Sequence, residues 1–226
     1  MDSVNMLQAN HLTVGYERPL FSEFSLCLAP GECVGLYGPS GTGKTTLGRV
    51  LSGLHKPTAG SVLVNAKPLP KKGFRPVQYL YQNPLQAMNP RWRIERILTE
   101  VAPLDHDLMQ MIGIEQEWLK RFPHELSGGQ LQRVSILRAL AGRPEYLIAD
   151  EITASLDPIS QAKLWQALQR IAKQQQIGVL VISHDQALLS KVCSRVLNGF
   201  EGNSFDHGAS PDEPVPTELT QACASA

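Results

Sequence analysis

The sequence has little of several features that would mark special classes of protein. No apolar run approaches the ~20 residues that a membrane-spanning helix needs, and the longest lies around residues 179–182. Lys and Arg number 21 and Asp and Glu also number 21, so no excess of positive charge indicates a nucleic-acid partner. The N-terminal residues lack a basic segment followed by an apolar one, so we expect no secretory signal.

Cysteine is also scarce, and its spacing matches no metal site. The four cysteines are Cys27, Cys33, Cys193 and Cys223. Scattered cysteines of this kind are typical of a protein in a reducing compartment. The end of the chain is rich in Ser, Gly, Pro and Ala, and after Arg195 it has five acidic residues but no Lys or Arg. We therefore expect residues 203–226 to form a disordered acidic tail.

The hydrophobic pattern predicts an α/β protein. Strands are predicted at 7–16, 22–28, 32–37, 61–65, 146–149 and 178–183, and helices at 44–54, 93–101, 105–112, 115–121, 129–141 and 159–176. The later strands are apolar throughout and alternate with helices, which is typical of a parallel sheet covered on both faces. From about 84 to 142 no convincing strand occurs, so a helical insert is expected there.

A glycine-rich turn is predicted between the strand at 32–37 and the helix at 44–54. It consists of Gly38, Pro39, Ser40, Gly41, Thr42, Gly43, Lys44, Thr45 and Thr46, and it matches G-x-x-x-x-G-K-[ST]. Its glycines let successive main-chain N–H groups point at one anion, and the helix N-terminus adds a favourable dipole. Lys44 can reach the β- and γ-phosphates, and Thr45 offers a hydroxyl to Mg²⁺. The turn predicts nucleotide binding.

Two carboxylates follow the apolar strand at 146–149. In a parallel sheet, ligands bind at the carboxyl ends of the strands, where Asp150 and Glu151 stand. Asp150 is suited to holding Mg²⁺ or one of its waters, and Glu151 is suited to deprotonating an attacking water. An acidic pair that simply begins a loop would look the same, and the phosphate loop upstream favours the functional interpretation.

Residues 126–130, Leu-Ser-Gly-Gly-Gln, stand at the start of the helix at 129–141. Ser127 can cap that helix and the two glycines leave N–H groups bare, which makes a second anion-binding device. An N-capped helix with a flexible entry is the alternative. The five residues are the signature of the ABC (ATP-binding cassette) ATPases, a family that this sequence resembles over about residues 5–202.

The other motifs of that family occur in the same order. By resemblance, Tyr16 stacks on adenine, Gln82 belongs to the Q-loop, and His184 orients the γ-phosphate and the water. Asp157, at the end of Ser-Leu-Asp 155–157, fits the D-loop. Alone, each would be an ordinary loop or strand-end residue, and their order and spacing carry the prediction.

The resemblance implies an α/β fold with a P-loop NTPase core and a mixed or parallel sheet. It also implies an N-terminal antiparallel β region and a helical insert subdomain at roughly 84–142, within an ATPase domain at 1–202. ATP and Mg²⁺ are the implied cofactors, and Thr45, Gln82 and Asp150 are the implied metal ligands.

The implied catalytic residues are Glu151, as general base, together with His184 and Gln82. In this family two cassettes face each other head to tail, so that the signature of one completes the ATP site of the other. Residues implied to contact nucleotide in this way are Ser127, Gly128, Gly129, Gln130 and Asp157. The implied partners are a second ATPase subunit, identical or different, integral membrane permeases, and indirectly a substrate-binding protein. The chain would lie peripherally at the cytoplasmic face of the cell membrane.

The segment 81–91, Tyr-Gln-Asn-Pro-Leu-Gln-Ala-Met-Asn-Pro-Arg, is similar to the Q-loop region of oligopeptide, dipeptide and nickel importers. Ile152 stands where many relatives have proline. The long cysteine-containing C-terminal extension of many peptide importers is not seen, which favours nickel or another metal, free or chelated, over small peptides. A non-transport ABC ATPase of translation or DNA maintenance is the alternative, although such proteins usually carry two cassettes or long coiled coils.

Overall fold

The computed structural model describes residues 5–15 and 19–199. Within these ranges the strands are Leu7–Gly15 (β1), Pro19–Leu28 (β2), Cys33–Tyr37 (β3), Ala59–Val64 (β4), Lys67–Pro68 (β5), Val77–Leu80 (β6), Tyr146–Asp150 (β7), Gly178–Ser183 (β8) and Arg195–Asn198 (β9). The α-helices are Lys44–Leu51 (α1), Ile94–Leu98 (α2), His106–Ile112 (α3), Gly128–Ala141 (α4), Pro158–Gln175 (α5) and Gln186–Val192 (α6). Short 3₁₀ helices span Pro84–Ala87, Gln116–Lys120 and Pro123–Glu125. The α/β class predicted from the sequence is confirmed.

The strands form two sheets of different kinds. β2, β1, β4 and β5 lie in that order in an antiparallel sheet, which is the N-terminal β region that the resemblance implied. β6, β7, β8, β3 and β9 form a sheet in which every neighbouring pair is parallel. The carboxyl ends of these five strands therefore lie along one edge.

Both faces of the parallel sheet are covered, as the continuous apolar strands predicted. Ile148 and Ile182 point to the face shared with α1 and the antiparallel sheet, in a cluster that includes Leu47 of α1. The alternate residues, such as Ala149 and Val181, join the opposite cluster with the helices of the insert and with α5 and α6. Because side chains alternate along a strand, a strand buried on both faces has no polar side, which explains the unbroken apolar sequence.

The helical insert occupies the connection between β6 and β7. It contains α2, α3, α4 and the three 3₁₀ helices, and no strand is found from 84 to 142, as predicted. Its side chains pack against one another and on the sheet face that carries α5. Within the described residues, no helix combines the length and the apolar character needed to cross a bilayer.

Several element bounds differ from the prediction. The helix predicted at 44–54 ends at Leu51, because Gly53 has a φ of 70°, a left-handed value that is common just beyond a helix end. The helix predicted at 93–101 ends at Leu98, and the one at 115–121 is a 3₁₀ helix. β5, β6, α6 and β9 were not predicted. Tyr16 and the proposed tail at 203–226 lie outside the described residues.

Candidate nucleotide site

The carboxyl edge of the parallel sheet gathers predicted site residues from four neighbouring strands. Gln82 lies just beyond β6, Glu151 follows Asp150 at the end of β7, and His184 follows β8. The phosphate loop begins at Gly38, directly after β3. Because β6, β7, β8 and β3 are consecutive neighbours, these ends lie side by side. Open parallel sheets bind ligands at this edge.

The phosphate loop curls tightly before α1. Gly41 and Gly43 have φ angles of 84° and 99°, in a region that glycine adopts without strain. Lys44 is only 7% exposed, and its Nζ donates to the carbonyl oxygens of Gly38 and Pro39, each at 2.6 Å. These acceptors are neutral, so they leave the ammonium charge available to an anion. No side chain caps the first turn of α1, and its N–H groups also suit an anion.

The other predicted loop residues complete the same turn. Ser40 is exposed, and Thr46 is half-buried within the first turn of α1. Thr42 closes the turn, because its Oγ1 donates to the carbonyl oxygen of Pro39 at 2.9 Å. The loop is thus held in its curled shape by its own polar groups.

Thr45 and Asp150 are brought together as the sequence predicted for a metal site. Thr45 Oγ1 donates to Asp150 Oδ2 at 2.8 Å. Asp150 is 3% exposed, and its other oxygen, Oδ1, is buried with no hydrogen-bond partner. A buried carboxylate oxygen without a partner is costly unless a ligand satisfies it. One hydroxyl and one carboxylate are oxygen donors of the kind that Mg²⁺ takes when waters and phosphates supply the rest, so these residues fit that ion.

Glu151 and His184 form a second pair beside the first. Glu151 Oε1 accepts from the main-chain N–H of His184 at 2.9 Å and lies 2.7 Å from its Nδ1. The carboxylate can only accept, so Nδ1 carries the hydrogen. Oε2 has only a long contact of 3.5 Å with Ser183 Oγ. Glu151 has a φ of 51°, a left-handed value uncommon for a residue with a side chain and often found at functional sites.

Tyr79 belongs to this site and was missed from the sequence. It lies in β6, is 8% exposed, and its hydroxyl donates to Asp150 Oδ2 at 2.5 Å. Burial and the bond to Asp150 raise the pKa of Tyr79, so the phenol keeps its proton and remains a donor. No sequence signal could have found it, because β6 has only four residues and the partner Asp150 is 71 positions away. Gln82 itself is exposed, and its role as a metal ligand stays a prediction.

The signature residues form a separate group on the insert. Ser127 caps α4, with its Oγ accepting from the Gln130 N–H at 3.3 Å while Gln130 Oε1 accepts from the Ser127 N–H at 2.9 Å. Ser127 and Gly128 are exposed. A Cβ added to Gly129 would stand 3.0 Å from Leu156 Cδ2, so the signature abuts the predicted D-loop.

Asp157, the last D-loop residue, caps α5. Its Oδ1 accepts from the N–H groups of Ile159 at 3.1 Å and Ser160 at 2.9 Å. Hydrogen bonds from Ser160 hold the pKa of Asp157 below its ordinary value, so the cap is a carboxylate. Among the described residues, no hydrogen bond joins Ser127, Gly128 or Gly129 to the phosphate loop.

Fold and site together define a class of protein: a nucleotide-binding P-loop domain whose helical insert carries a second, exposed, glycine-containing helix N-terminus. The family model described as ABC transporter matches residues 21–154. The chain belongs to this family, and the resemblance stated from its motifs is confirmed.

Curated relatives include ATP-binding proteins named for import. A putative peptide import ATP-binding protein of Brucella abortus is 38% identical over 206 residues, covering 81% of this chain and 61% of that protein. The nickel import ATP-binding protein NikE of Rhodospirillum rubrum is 36% identical over 206 residues, covering 82% of this chain and 74% of that protein. The chain thus spans about 61% of the length of the first of these relatives.

Solved structures agree on the fold. A bacterial ABC transporter cassette whose structure is dimeric aligns with a TM-score of 0.75 at 24% identity, covering 86% of this chain and 94% of that one. The same cassette has been solved in a post-hydrolysis state bound to ADP and Pi, with a TM-score of 0.75.

Proposed function

We propose that this chain is the ATP-hydrolysing subunit of an ABC importer, working as one cassette of a head-to-tail pair. The observation that carries the proposal is the adjacency of two pairs at one sheet edge, Thr45 with Asp150 and Glu151 with His184. In the proposed domain organisation, an ATPase domain spans 1–202 with its helical insert at roughly 84–142, and an acidic tail follows at 203–226.

Binding of ATP would rest on the phosphate loop. Lys44 and the free N–H groups of the first turn of α1 offer positive charge and donors to the β- and γ-phosphates. Thr45 and Asp150, with Gln82, would hold Mg²⁺, which when bound neutralises phosphate charge. Tyr16 would stack on the adenine base.

Hydrolysis requires a base that faces a water. Glu151 Oε1 is held by two donors from His184, which leaves Oε2 to accept a hydrogen from the attacking water. As the water oxygen attacks the γ-phosphorus, the water proton passes to Oε2. The bond between the γ-phosphorus and the oxygen that bridges it to the β-phosphate breaks, and ADP leaves. His184 would then position Glu151, and Gln82 would report nucleotide occupancy to a neighbouring subunit.

The second anion-binding device would act on the partner's nucleotide. Ser127 and Gly128 are exposed, and α4 presents its N-terminus there, with Gly129 and Gln130 in its first turn. No hydrogen bond ties this turn to the phosphate loop of the same chain within the described residues, which fits a role across an interface. ATP would then join two cassettes and its hydrolysis would release them.

The transported substrate is proposed to be small peptides or nickel, or another metal, free or chelated. The relatives named above are called peptide import and nickel import proteins, and these names favour an importer over a non-transport ATPase. Integral membrane permeases would anchor the chain at the cytoplasmic face of the membrane, and a substrate-binding protein would deliver the substrate.

The activity is tested with Glu151→Gln, which keeps the size and acceptor oxygen of the side chain but removes its basicity. We expect the variant to bind Mg·ATP as tightly as the wild type, to release almost no phosphate, and to elute as a dimer with ATP and as a monomer without it. Lys44→Ala is the matched control and should fail to bind. Phosphate release by Glu151→Gln at the wild-type rate, or a monomer at every ATP concentration, would contradict the proposal.

The substrate is tested by uptake. A strain that lacks this chain is complemented with the wild type or with Lys44→Ala, and uptake of radiolabelled nickel and of a labelled tripeptide is compared. Restoration of one uptake by the wild type alone identifies the substrate. Equal uptake of both by the two complemented strains would contradict the importer.

A further inference from the structure

Two cysteine thiols lie together at the edge of the parallel sheet where the strands begin, opposite the edge that carries the nucleotide site. Cys33 begins β3 and Cys193 follows α6, and both are half-buried and not in a disulfide. Their sulfur atoms are 3.7 Å apart. The main chains are neighbours as well, because the N–H and the Oγ of Ser194 both donate to the carbonyl oxygen of Cys33 at 2.8 Å. A small movement of the backbone would therefore be enough to bring the two sulfur atoms to bonding distance.

A groove gives the pair access to small molecules. Its volume is about 670 Å³, and both cysteines line it. Glu32, Lys173 and Lys191 also line the groove, and the carboxylate of Glu32 is paired with Arg195 at 2.7 Å. The two lysines therefore leave the groove with positive charge suited to an anionic reagent. The pair is therefore neither sealed in the core nor spread over an open surface.

The two cysteines stand at the far ends of elements that lead to the catalytic edge. β3 runs from Cys33 to the phosphate loop, and α6 runs from Gln186, two residues after His184, to Val192, next to Cys193. The two elements already pack closely, since a Cβ added to Gly35 would lie 3.1 Å from Leu189 Cδ2 and 3.3 Å from Cys193 Sγ. A covalent bond at these ends would restrain the helix that carries the loop of His184.

We propose that Cys33 and Cys193 form a thiol–disulfide exchange site that reacts with anionic low-molecular-weight disulfides and, once oxidised, slows ATP turnover by fixing α6 to β3. One cysteine thiolate attacks the reagent, forms a mixed disulfide and expels one thiol. The second cysteine attacks the protein sulfur of that mixed disulfide, and a second thiol leaves. In sum, two S–H bonds of the protein are lost, one S–S bond forms, and the reagent disulfide gains two electrons and two protons as two thiols.

The environment of Cys193 sets the pace of this reaction. Its hydrogen bond with Cys33, and then its burial, raise the pKa of the Cys193 thiol. Exchange needs a thiolate, so we expect the reaction to be slow at neutral pH and faster as pH rises.

The test treats the full-length wild type with excess oxidised glutathione, blocks the remaining thiols, and maps cysteine peptides by mass spectrometry. We expect a peptide pair joined through Cys33 and Cys193 that lacks two hydrogen atoms and is restored by a reducing agent. Peptides with Cys27 and Cys223 are quantified separately. Cys33→Ser and Cys193→Ser are the matched variants. Each should give no such pair, and a stable mixed disulfide should accumulate at the remaining cysteine.

The effect on turnover rests on the proposed ATPase function, so reduced and oxidised samples of one preparation are compared. We expect oxidation to lower phosphate release severalfold, to leave Mg·ATP affinity unchanged, and to have no effect on Cys33→Ser. Absence of the Cys33–Cys193 pair in folded protein overturns the site, and a full disulfide with unchanged turnover overturns the coupling. An inactive reduced sample would count against the ATPase itself, and the peptide map would still decide the site.

Discussion

His184 donates twice to one oxygen of Glu151, through its main-chain N–H at 2.9 Å and its Nδ1–H at 2.7 Å. The side chain of Glu151 is 15% exposed and that of His184 is 61% exposed. The arrangement fixes the carboxylate through Oε1, while Oε2 has only the 3.5 Å contact with Ser183 Oγ.

His184→Ala is expected to lower kcat about ten- to a hundredfold, since a hydrogen bond to a charged group is worth about 1.5–3 kcal/mol. Mg·ATP affinity should change little, because the main-chain bond to Glu151 remains and, among the described residues, no hydrogen bond joins His184 to the phosphate loop. Steady-state phosphate release and equilibrium nucleotide binding measure the two effects. His11→Ala is the control, because it removes a similar pair, with Glu23 at 2.9 Å, in the antiparallel sheet. Equal losses in both variants would contradict a specific role.

Tyr79→Phe is expected to weaken Mg²⁺ binding about tenfold, the low end of what loss of a partner to a metal-binding carboxylate usually causes. The phenol holds Asp150 through Oδ2, so that Oδ1 stays buried and ready for a ligand. Binding of a fluorescent ATP analogue is titrated with Mg²⁺, and binding without Mg²⁺ should be unchanged. Tyr81→Phe, a half-buried neighbour, is the control. An Mg²⁺ curve that superimposes on that of the wild type would mean that Thr45 alone positions Asp150.

Gly48→Ala is expected to destabilise the fold by about 1–3 kcal/mol, the usual effect of overpacking. A Cβ there would stand 2.9 Å from Tyr79 Cε2 and 3.0 Å from both Ile148 Cγ2 and Ile182 Cδ1. The cost of overpacking is offset only in part by the ~1 kcal/mol that alanine gains over glycine in a helix. Denaturant unfolding measures the change, and Gln174→Ala, at an exposed position of α5, should be near neutral.

A second substitution checks the cause. Ile182→Val removes the Cδ1 atom that the new methyl would meet. The double variant Gly48→Ala with Ile182→Val should therefore lose less stability than the sum of the two single variants. Simple additivity would indicate that α1 shifts away from the sheet instead.

The parts of the molecule that were predictable from sequence are those whose signal is contiguous. The phosphate loop, the strand before Asp150 and the N-cap at Ser127 each lie within a few residues, and each formed as expected. β6 and β9 have only four residues each, too few for a periodic pattern. Tyr79 could not be found because its partner is 71 positions away and is met only through the pairing of β6 with β7. α6 was missed although its cap, Asp185, stood in the sequence.

The last prediction concerns alkaline pH. Burial, and then the charge of neighbouring Glu145, raise the pKa of Tyr146 to about 12, against about 10 in an unfolded chain. The folded state thus favours the neutral phenol. Its contribution to stability is fully present below pH ~10 and is lost progressively as pH rises toward 12.

Tyr146→Phe cannot ionise, and it also removes a buried hydroxyl that makes no hydrogen bond of good geometry and interacts only weakly with the main chain of Leu7. We expect the variant to match or exceed the stability of the wild type at pH 8, and to gain on it steadily between pH 10 and 12, because the wild type alone must bury a charge or release its phenol. Urea midpoints across this pH range measure the difference. Tyr81→Phe, at a half-buried position, serves as the reference for removal of any tyrosine. A constant difference between Tyr146→Phe and wild type at every pH would show that the phenol of Tyr146 does not couple folding to its proton.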